Sequence, residues 1–148
     1  MKGRILAVDP GEKRLGIAIS DPTGTIANPL TVLKHVSRRV DAATVAQLAV
    51  EQGAVRIVVG QALDSEGEIG PAARHALRVA EEIREQTELP VELWDESFST
   101  QTARETRVAM GVRRSKRTGH LDDLAAVIVL QSYLDAHWMG GEEQANGA

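Results

Sequence analysis

The feature that most constrains the fold is the order in which short apolar runs and helical patterns follow one another. Three strand-like runs come first, at residues 4–8, 15–20 and 26–33, and turn residues separate them. Pro29 lies in the third run and predicts an edge or interrupted strand, because proline cannot donate a hydrogen bond to a neighbouring strand. We therefore predict that the first third of the chain is a three-stranded antiparallel meander.

Helical and strand patterns alternate in the rest of the chain. Ser37 is predicted to cap a helix that ends at about Gln52, and Pro71 suits the first position of a second helix. Two further strands and two further helices are predicted, at residues 55–59 and 91–94 and at about 99–110 and 122–138. Short connections through helices join parallel strands. The predicted fold is α/β, a mixed five-stranded sheet of an antiparallel meander plus two parallel strands, with helices on its faces.

Length and composition limit the possible classes of protein. The 148 residues suit one domain, which we assign to residues 1–138, and residues 139–148 are predicted to be a disordered tail. Aromatic residues make up only 3% of the chain, which argues against an RNA binder that stacks bases on aromatic side chains. The net charge of −4 argues against a protein that coats nucleic acid through bulk charge, but a local basic face remains possible.

The compartment is predicted from cysteine usage and from the apolar runs. The absence of cysteine excludes disulfides and zinc–thiolate sites and fits a reducing environment. The apolar runs are too short to span a membrane, and the first residues lack a secretory signal. We therefore expect a soluble, cytoplasmic protein without a membrane partner.

Acidic residues at the ends of predicted elements are candidates for chemistry. Asp9 follows a buried strand, Asp95 and Glu96 follow another, and Asp122 and Asp123 begin the last helix. Carboxylates from separate elements converge at the strand ends of such sheets and bind hard divalent cations through oxygen. Each position also has a structural interpretation, as a turn former, a solvated loop acid or a helix N-terminal acid. The coincidence of three such positions favours a metal site.

Basic residues flank these acids in two places. Lys13 and Arg14 lie between Asp9 and Gly16, and a glycine there lets a backbone or a phosphate approach closely. A denser cluster precedes Asp122, and its members are Arg113, Arg114, Lys116, Arg117 and His120. A solvated turn and a solvated loop are the structural alternatives. Cations beside an acidic metal site suit a polyanion that must be held and cut, so we predict that both groups bind nucleic acid.

Four segments resemble the YqgF (RuvX) family of RNase H-like proteins, described as Holliday junction resolvases and pre-16S rRNA processing nucleases. They are AVDPGEKRLGIA at residues 7–18, IVVG at 57–60, LWDE at 93–96 with Thr100, and LDDLAA at 121–126 running on to LQSYL at 130–134. The resemblance extends over about residues 4–135. The chain departs from the family pattern at residues 61–62, where Leu-Pro is usual, and at residues 97–98, where an arginine is common.

The resemblance implies an RNase H-like fold in which Asp9, Glu96 and Asp122 form an acidic triad that binds Mg²⁺ or Mn²⁺. It implies two-metal hydrolysis of phosphodiester bonds. The expected substrate is structured RNA, at the 5′ end of pre-16S rRNA, or else a four-way DNA junction, which would require a homodimer with two active sites. Two other interpretations stay open: a sugar-kinase or actin-like ATPase, which would need a second domain, and a non-catalytic RNA-binding module of ribosome assembly.

Overall fold

The computed structural model describes residues 3–63, 66–95 and 121–147, and in the last helix it describes the side chains of residues 124–137. The strands are β1 (Arg4–Pro10), β2 (Arg14–Ser20), β3 (Ala27–Lys34), β4 (Ala54–Gln61) and β5 (Val91–Asp95). The helices are α1 (Arg38–Glu51), α2 (Pro71–Gln86) and α3 (Leu121–Gly147). The predicted helix at 99–110 lies outside the described residues.

All five strands belong to one sheet with the order β3-β2-β1-β4-β5. β1 pairs antiparallel with β2, and β2 pairs antiparallel with β3. β4 lies parallel to β1 and to β5, and the connections through α1 and α2 make these parallel pairings possible. The predicted mixed sheet, an antiparallel meander plus two parallel strands, is confirmed.

The strand boundaries differ from the prediction at the first hairpin. The sequence predicts a connection over residues 9–14, whereas β1 continues to Pro10 and β2 begins at Arg14. Asp9 and Gly16 form a pair within the antiparallel ladder, so the turn needs only three residues. Asp9 therefore lies within a strand, where strand pairing fixes the face on which its side chain lies, and not in a loop.

Strand β3 is an edge strand with an irregular register, as its proline predicts. Ile17 pairs with Thr31, but Ala18 pairs with Pro29, so one extra residue of β3 stands between these two pairs. A proline at such a position leaves few ladder hydrogen bonds unmade. This single-residue shift sets which side chains of β3 lie opposite those of β2 near the first hairpin.

The two faces of the sheet are covered by different helices. On the α1 and α2 face, the core contains Leu6, Val8, Leu15, Ile17, Ile57 and Val59 of the strands. On the α3 face it contains Ile5, Ala7, Ala18 and Val58 with Ala126, Leu130, Tyr133 and Leu134. Successive residues of β1 are thus buried alternately on the two faces of the sheet, which explains why the sequence of this strand is an unbroken apolar run.

Helix α3 is longer than the sequence predicts. It continues to Gly147, through residues for which the sequence predicts a disordered tail. Residues 142–145 are glutamate, glutamine and alanine, which favour helix and extend it past the glycines at 140 and 141. The domain boundary at residue 138 stays a prediction. Within the described part of the chain, no helix is both long enough and apolar enough to cross a membrane.

Asp21 organises the turn that joins β2 to β3. Its Oδ1 accepts hydrogen bonds from the backbone N–H groups of Thr25, at 2.8 Å, and Ile26, at 2.9 Å. The Thr23 hydroxyl donates to Oδ2. The hydrogen bond from Ile26, followed by that from Thr23, lowers the pKa of Asp21 to about 2. The φ of +70° at Gly24 explains why this turn contains a glycine.

We expect Asp21→Asn to lower the free energy of unfolding at pH 7 by about 1 kcal/mol, because an amide accepts these hydrogen bonds more weakly than a carboxylate. The pKa of Asp21 is lower in the folded state, so its contribution is complete above the ordinary value of 3.8 and is lost as the pH falls towards 2. Urea unfolding of both proteins over this range should show the difference shrinking. A constant difference would contradict this account.

Tyr133 ties α3 to the parallel strands. Its ring is buried, and its hydroxyl donates to Glu92 Oε1, which also accepts from Arg56 Nη1 at 3.0 Å. Trp94 meets the Tyr133 ring edge-on, with 5.3 Å between the ring centroids, and His137 stacks on it at 3.9 Å. These contacts fix where α3 crosses the sheet.

We expect Tyr133→Phe to reduce the free energy of unfolding at pH 7 by about 1 kcal/mol, through loss of the hydrogen bond to Glu92. Burial, followed by the hydrogen bond with Glu92, raises the pKa of Tyr133 above its ordinary value of 10.0. The stability that Tyr133 contributes is therefore complete below about pH 10 and is lost as the pH rises further. Denaturant unfolding from about pH 9 to about pH 11.5 should show a steeper decline for the wild type than for the variant. Equal slopes would contradict the prediction.

Candidate active site

Asp9 lies at the carboxyl end of the central strand β1. Ile5 and Ala7 belong to the core beneath α3, so the alternation of side chains along a strand places Asp9 on the α3 face as well. Its side chain is half-buried, whereas Ile5 and Ala7 are fully buried. The strand therefore presents one carboxylate at the point where the covered core meets the end of the sheet.

The carboxyl ends of β4 and β5 lie at the same edge of the sheet. Gly60 pairs with Trp94, and Gln61 pairs with Asp95, the last residue of β5. Trp94 packs on the α3 core and Leu93 on the opposite core. By the same alternation Asp95 lies on the α1 and α2 face, away from the face of Asp9. The structure thus places Asp95 on the sheet face opposite to that of Asp9.

The other two predicted metal ligands are described only in part. Asp122 lies in the first turn of α3, and this helix packs against β1, β2 and β3 on the Asp9 face. Glu96 lies outside the described residues, as do Arg113, Arg114, Lys116, Arg117 and His120. Among the side chains that the structure does describe, no three acidic or histidine residues group into a metal site. The complete triad therefore stays a prediction.

The turn between β1 and β2 contains Lys13, and Arg14 follows it as the first residue of β2. The Gly11 N–H donates to the Asp9 carbonyl at 3.0 Å. A Cβ atom at Gly11 would lie 2.4 Å from the carbonyl oxygen of Arg14, so a side chain here would force the backbone apart. Glycine is needed at this position because the chain turns back on itself within a few residues.

A basic groove opens beside this turn. It has a volume of about 510 Å³ and is lined by Glu12, Lys13, Arg14, Val32, Lys34 and His35. Arg14 pairs with Lys34, and Gly16 pairs with Val32, so the register brings cations from two strands together. Lys13 and Arg14 were predicted from the sequence, whereas Lys34 and His35 were not. The signal for them is the register of β3, which depends on the irregularity at Pro29.

His35 lies between this groove and a smaller cavity on the other face of the sheet. Its backbone N–H donates to the Lys13 carbonyl at 2.9 Å, and its Nδ1 is hydrogen-bonded to Asp41. Asp41 is buried at the start of α1 and also accepts from the Val36 N–H at 3.0 Å. The smaller cavity, of about 290 Å³, is lined by Gly11, Leu15, His35, Arg38, Asp41, His75 and Val79.

Two solved structures with a similar architecture were determined with Holliday junctions. The RuvC protein of T. thermophilus, solved with a Holliday junction substrate, matches with a TM-score of 0.62 and 18% identity over 93% of this chain and 96% of that one. The Fowlpox virus resolvase, solved with Holliday junction DNA, matches with a TM-score of 0.53 and 14% identity over 90% of this chain and 98% of that one. At such low identity these matches concern the fold alone, and they confirm the predicted RNase H-like fold.

Sequence relatives cover almost the whole chain. A protein of Thermoanaerobacter pseudethanolicus is 37% identical over 134 residues, which are 90% of this chain and 96% of that protein. One from Chloroflexus aurantiacus is 39% identical over 132 residues, 89% of this chain and 86% of that protein. Both carry the name "Putative pre-16S rRNA nuclease". The model of the RuvX family, with the description Holliday junction resolvase, matches residues 3–136. The chain therefore belongs to the RuvX family, a family of phosphodiester-hydrolysing nucleases.

Proposed function

We propose that this protein is a metal-dependent nuclease that hydrolyses phosphodiester bonds in structured RNA and processes the 5′ end of pre-16S rRNA. The observation that carries the proposal is the position of Asp9, at the carboxyl end of the central strand and on the same face as the cations of the basic groove. The name shared by the relatives supports rRNA as the substrate.

The residues present suit Mg²⁺ or Mn²⁺, with Asp9, Glu96 and Asp122 as the proposed ligands. Asp9 offers a hard oxygen donor that is half-buried and held by a strand paired on both sides. Trp94 lies on the Asp9 face, and Glu96 follows it two residues later in the sequence. Asp122 begins the helix that covers it. Bound divalent cations supply Lewis acidity and lower the pKa of a water at the scissile phosphate.

Basic residues next to the proposed acidic site can offset its repulsion of a nucleic acid. Three carboxylates at one edge of a chain with a net charge of −4 repel a polyanion and one another. Lys13 and Arg14 lie on the turn next to Asp9, where they can neutralise phosphates on either side of the cleaved bond. Arg113, Arg114, Lys116, Arg117 and His120 are proposed to do the same from the segment before Asp122. In this proposal the acidic side chains bind the catalytic metal ions, and the basic side chains bind the phosphates of the substrate.

A four-way DNA junction is the second candidate substrate. The description of the family favours it, and two proteins of the same fold were solved with such junctions. Symmetric resolution requires two active sites, so this alternative implies a homodimer. Membership of a nuclease family favours either nuclease over an ATPase. A protein that binds RNA without cutting it is the remaining alternative.

We expect Asp9→Asn to reduce the rate of cleavage by at least about 100-fold, because a neutral amide is a poor ligand for Mg²⁺ or Mn²⁺. Initial rates should be measured on an RNA containing the 5′ end of pre-16S rRNA and on a four-way DNA junction, with each metal. Mass spectrometry of the products should identify 5′-phosphate and 3′-hydroxyl ends. Whichever substrate the wild type cuts faster decides between RNA processing and junction resolution.

Asp95→Asn is the matched control for this experiment. It removes the same charge from the same edge of the sheet, but from the opposite face. Its cleavage rate should stay within a few-fold of the wild-type rate, and thermal melting should show both variants folded. Unchanged activity of Asp9→Asn would refute the proposed site. Tight binding without any cleavage in Mn²⁺ would instead identify a non-catalytic RNA-binding module.

A further inference from the structure

We propose that the basic groove is a track for the nucleic-acid backbone at the β3 edge of the sheet, on the same face as Asp9, with Lys34 as its outer phosphate contact. The ligand is a chain of phosphodiesters, which RNA and DNA share. This inference rests on the proposed function for the position of the scissile bond. It adds Lys34, a phosphate contact that was not predicted from the sequence.

The register of the three antiparallel strands sets the distance between Asp9 and the groove. Asp9, Gly16 and Val32 form one row across three neighbouring strands on the α3 face. Gly16 is buried in the middle of this row, so the exposed part of the groove lies towards the first hairpin, at Arg14 and Lys34. Two strand spacings, about 9.5 Å, separate the ends of the row. Lys34 lies two residues beyond Val32, about 7 Å farther along β3, so it is about 12 Å from Asp9. At a rise of about 3.4 Å per nucleotide, Lys34 would meet a phosphate about three or four nucleotides from the scissile bond.

The charge of the groove fits a polyanion. Lys13, Arg14 and Lys34 are exposed and contribute three positive charges, against the single carboxylate of Glu12. The protein as a whole carries a net charge of −4, so this concave surface differs in sign from the average of the molecule. Positive side chains in a concavity concentrate the potential there and attract phosphate groups.

The groove is also held in shape before any ligand binds. Lys34 is paired with Arg14 across the edge of the sheet, and the next residue, His35, donates its backbone N–H to Lys13. Asp41 binds the His35 ring and the Val36 N–H from beneath. Both walls are therefore fixed to each other and to α1. Binding needs to order only the long cationic side chains, which lowers its entropic cost.

The test is the salt dependence of binding by the full-length protein carrying Lys34→Gln, measured in EDTA so that no cleavage occurs. Fluorescence anisotropy should follow binding to a structured RNA and to a four-way DNA junction between about 50 and 200 mM salt. Loss of one phosphate contact should weaken binding about threefold and reduce the slope of log K against log salt by about 0.7–0.9. The effect should not depend on base sequence. The substrate that shows it identifies the strand as RNA or DNA.

Arg78→Gln is the matched control, because Arg78 is an exposed cation on α2, on the opposite face of the sheet. It removes the same charge and should leave the slope at the wild-type value. The proposal is overturned if Lys34→Gln and Arg78→Gln behave alike, or if the folded wild type binds neither nucleic acid. In cleavage assays Lys34→Gln should raise KM about threefold and leave kcat unchanged.

The two proposals can fail separately. A wild type that does not cleave in Mn²⁺, together with a reduced slope for Lys34→Gln, would remove the nuclease and keep the track. A wild type that cleaves, together with an unchanged slope, would remove the track and keep the nuclease.

Discussion

Strand β1 is hydrogen-bonded on both sides, to β2 in the antiparallel sense and to β4 in the parallel sense, and its residues are buried on both faces. The pairing of β1 with its neighbours sets the positions of the other candidate site residues. The antiparallel hairpin returns Lys13 and Arg14 to the end of β1, and the parallel neighbours bring the ends of β4 and β5 to the same edge. A side chain carried by such a strand has little freedom to move, which suits the role proposed for the Asp9 carboxylate as a metal ligand.

The two faces of the sheet have different roles. The α1 and α2 face holds the larger apolar core, and at its end the smaller cavity contains His35 and Asp41. The α3 face has a smaller core, joined to β5 by Tyr133, and it opens at its end to Asp9 and the basic groove. The proposed catalytic site therefore lies on the α3 face only. The network of Arg56, Glu92 and Tyr133 serves this site indirectly, because it sets where that helix lies.

Much of the fold could be predicted from local patterns. Apolar runs, prolines and turn residues are properties of a few neighbouring residues, so the five strands, the cap at Ser37 and the helix start at Pro71 were visible in the sequence. The ends of β1 and β2 were less accessible, since pairing between Asp9 and Gly16 extends both strands beyond their apolar runs. The end of α3 also differed, because helical propensity past residue 140 outweighed two glycines that suggested a tail.

The sequence by itself determined the class of the fold, and it supplied the candidate acids and the first candidate cations, because these follow from residue types at the ends of periodic segments. It could not place Asp95 relative to Asp9, and only the alternation of β5 between two cores assigned Asp95 to the face opposite to that of Asp9. It also could not find Lys34. That residue meets Arg14 only through a register shift between strands, and pairing between strands is a property of the folded sheet and not of either segment.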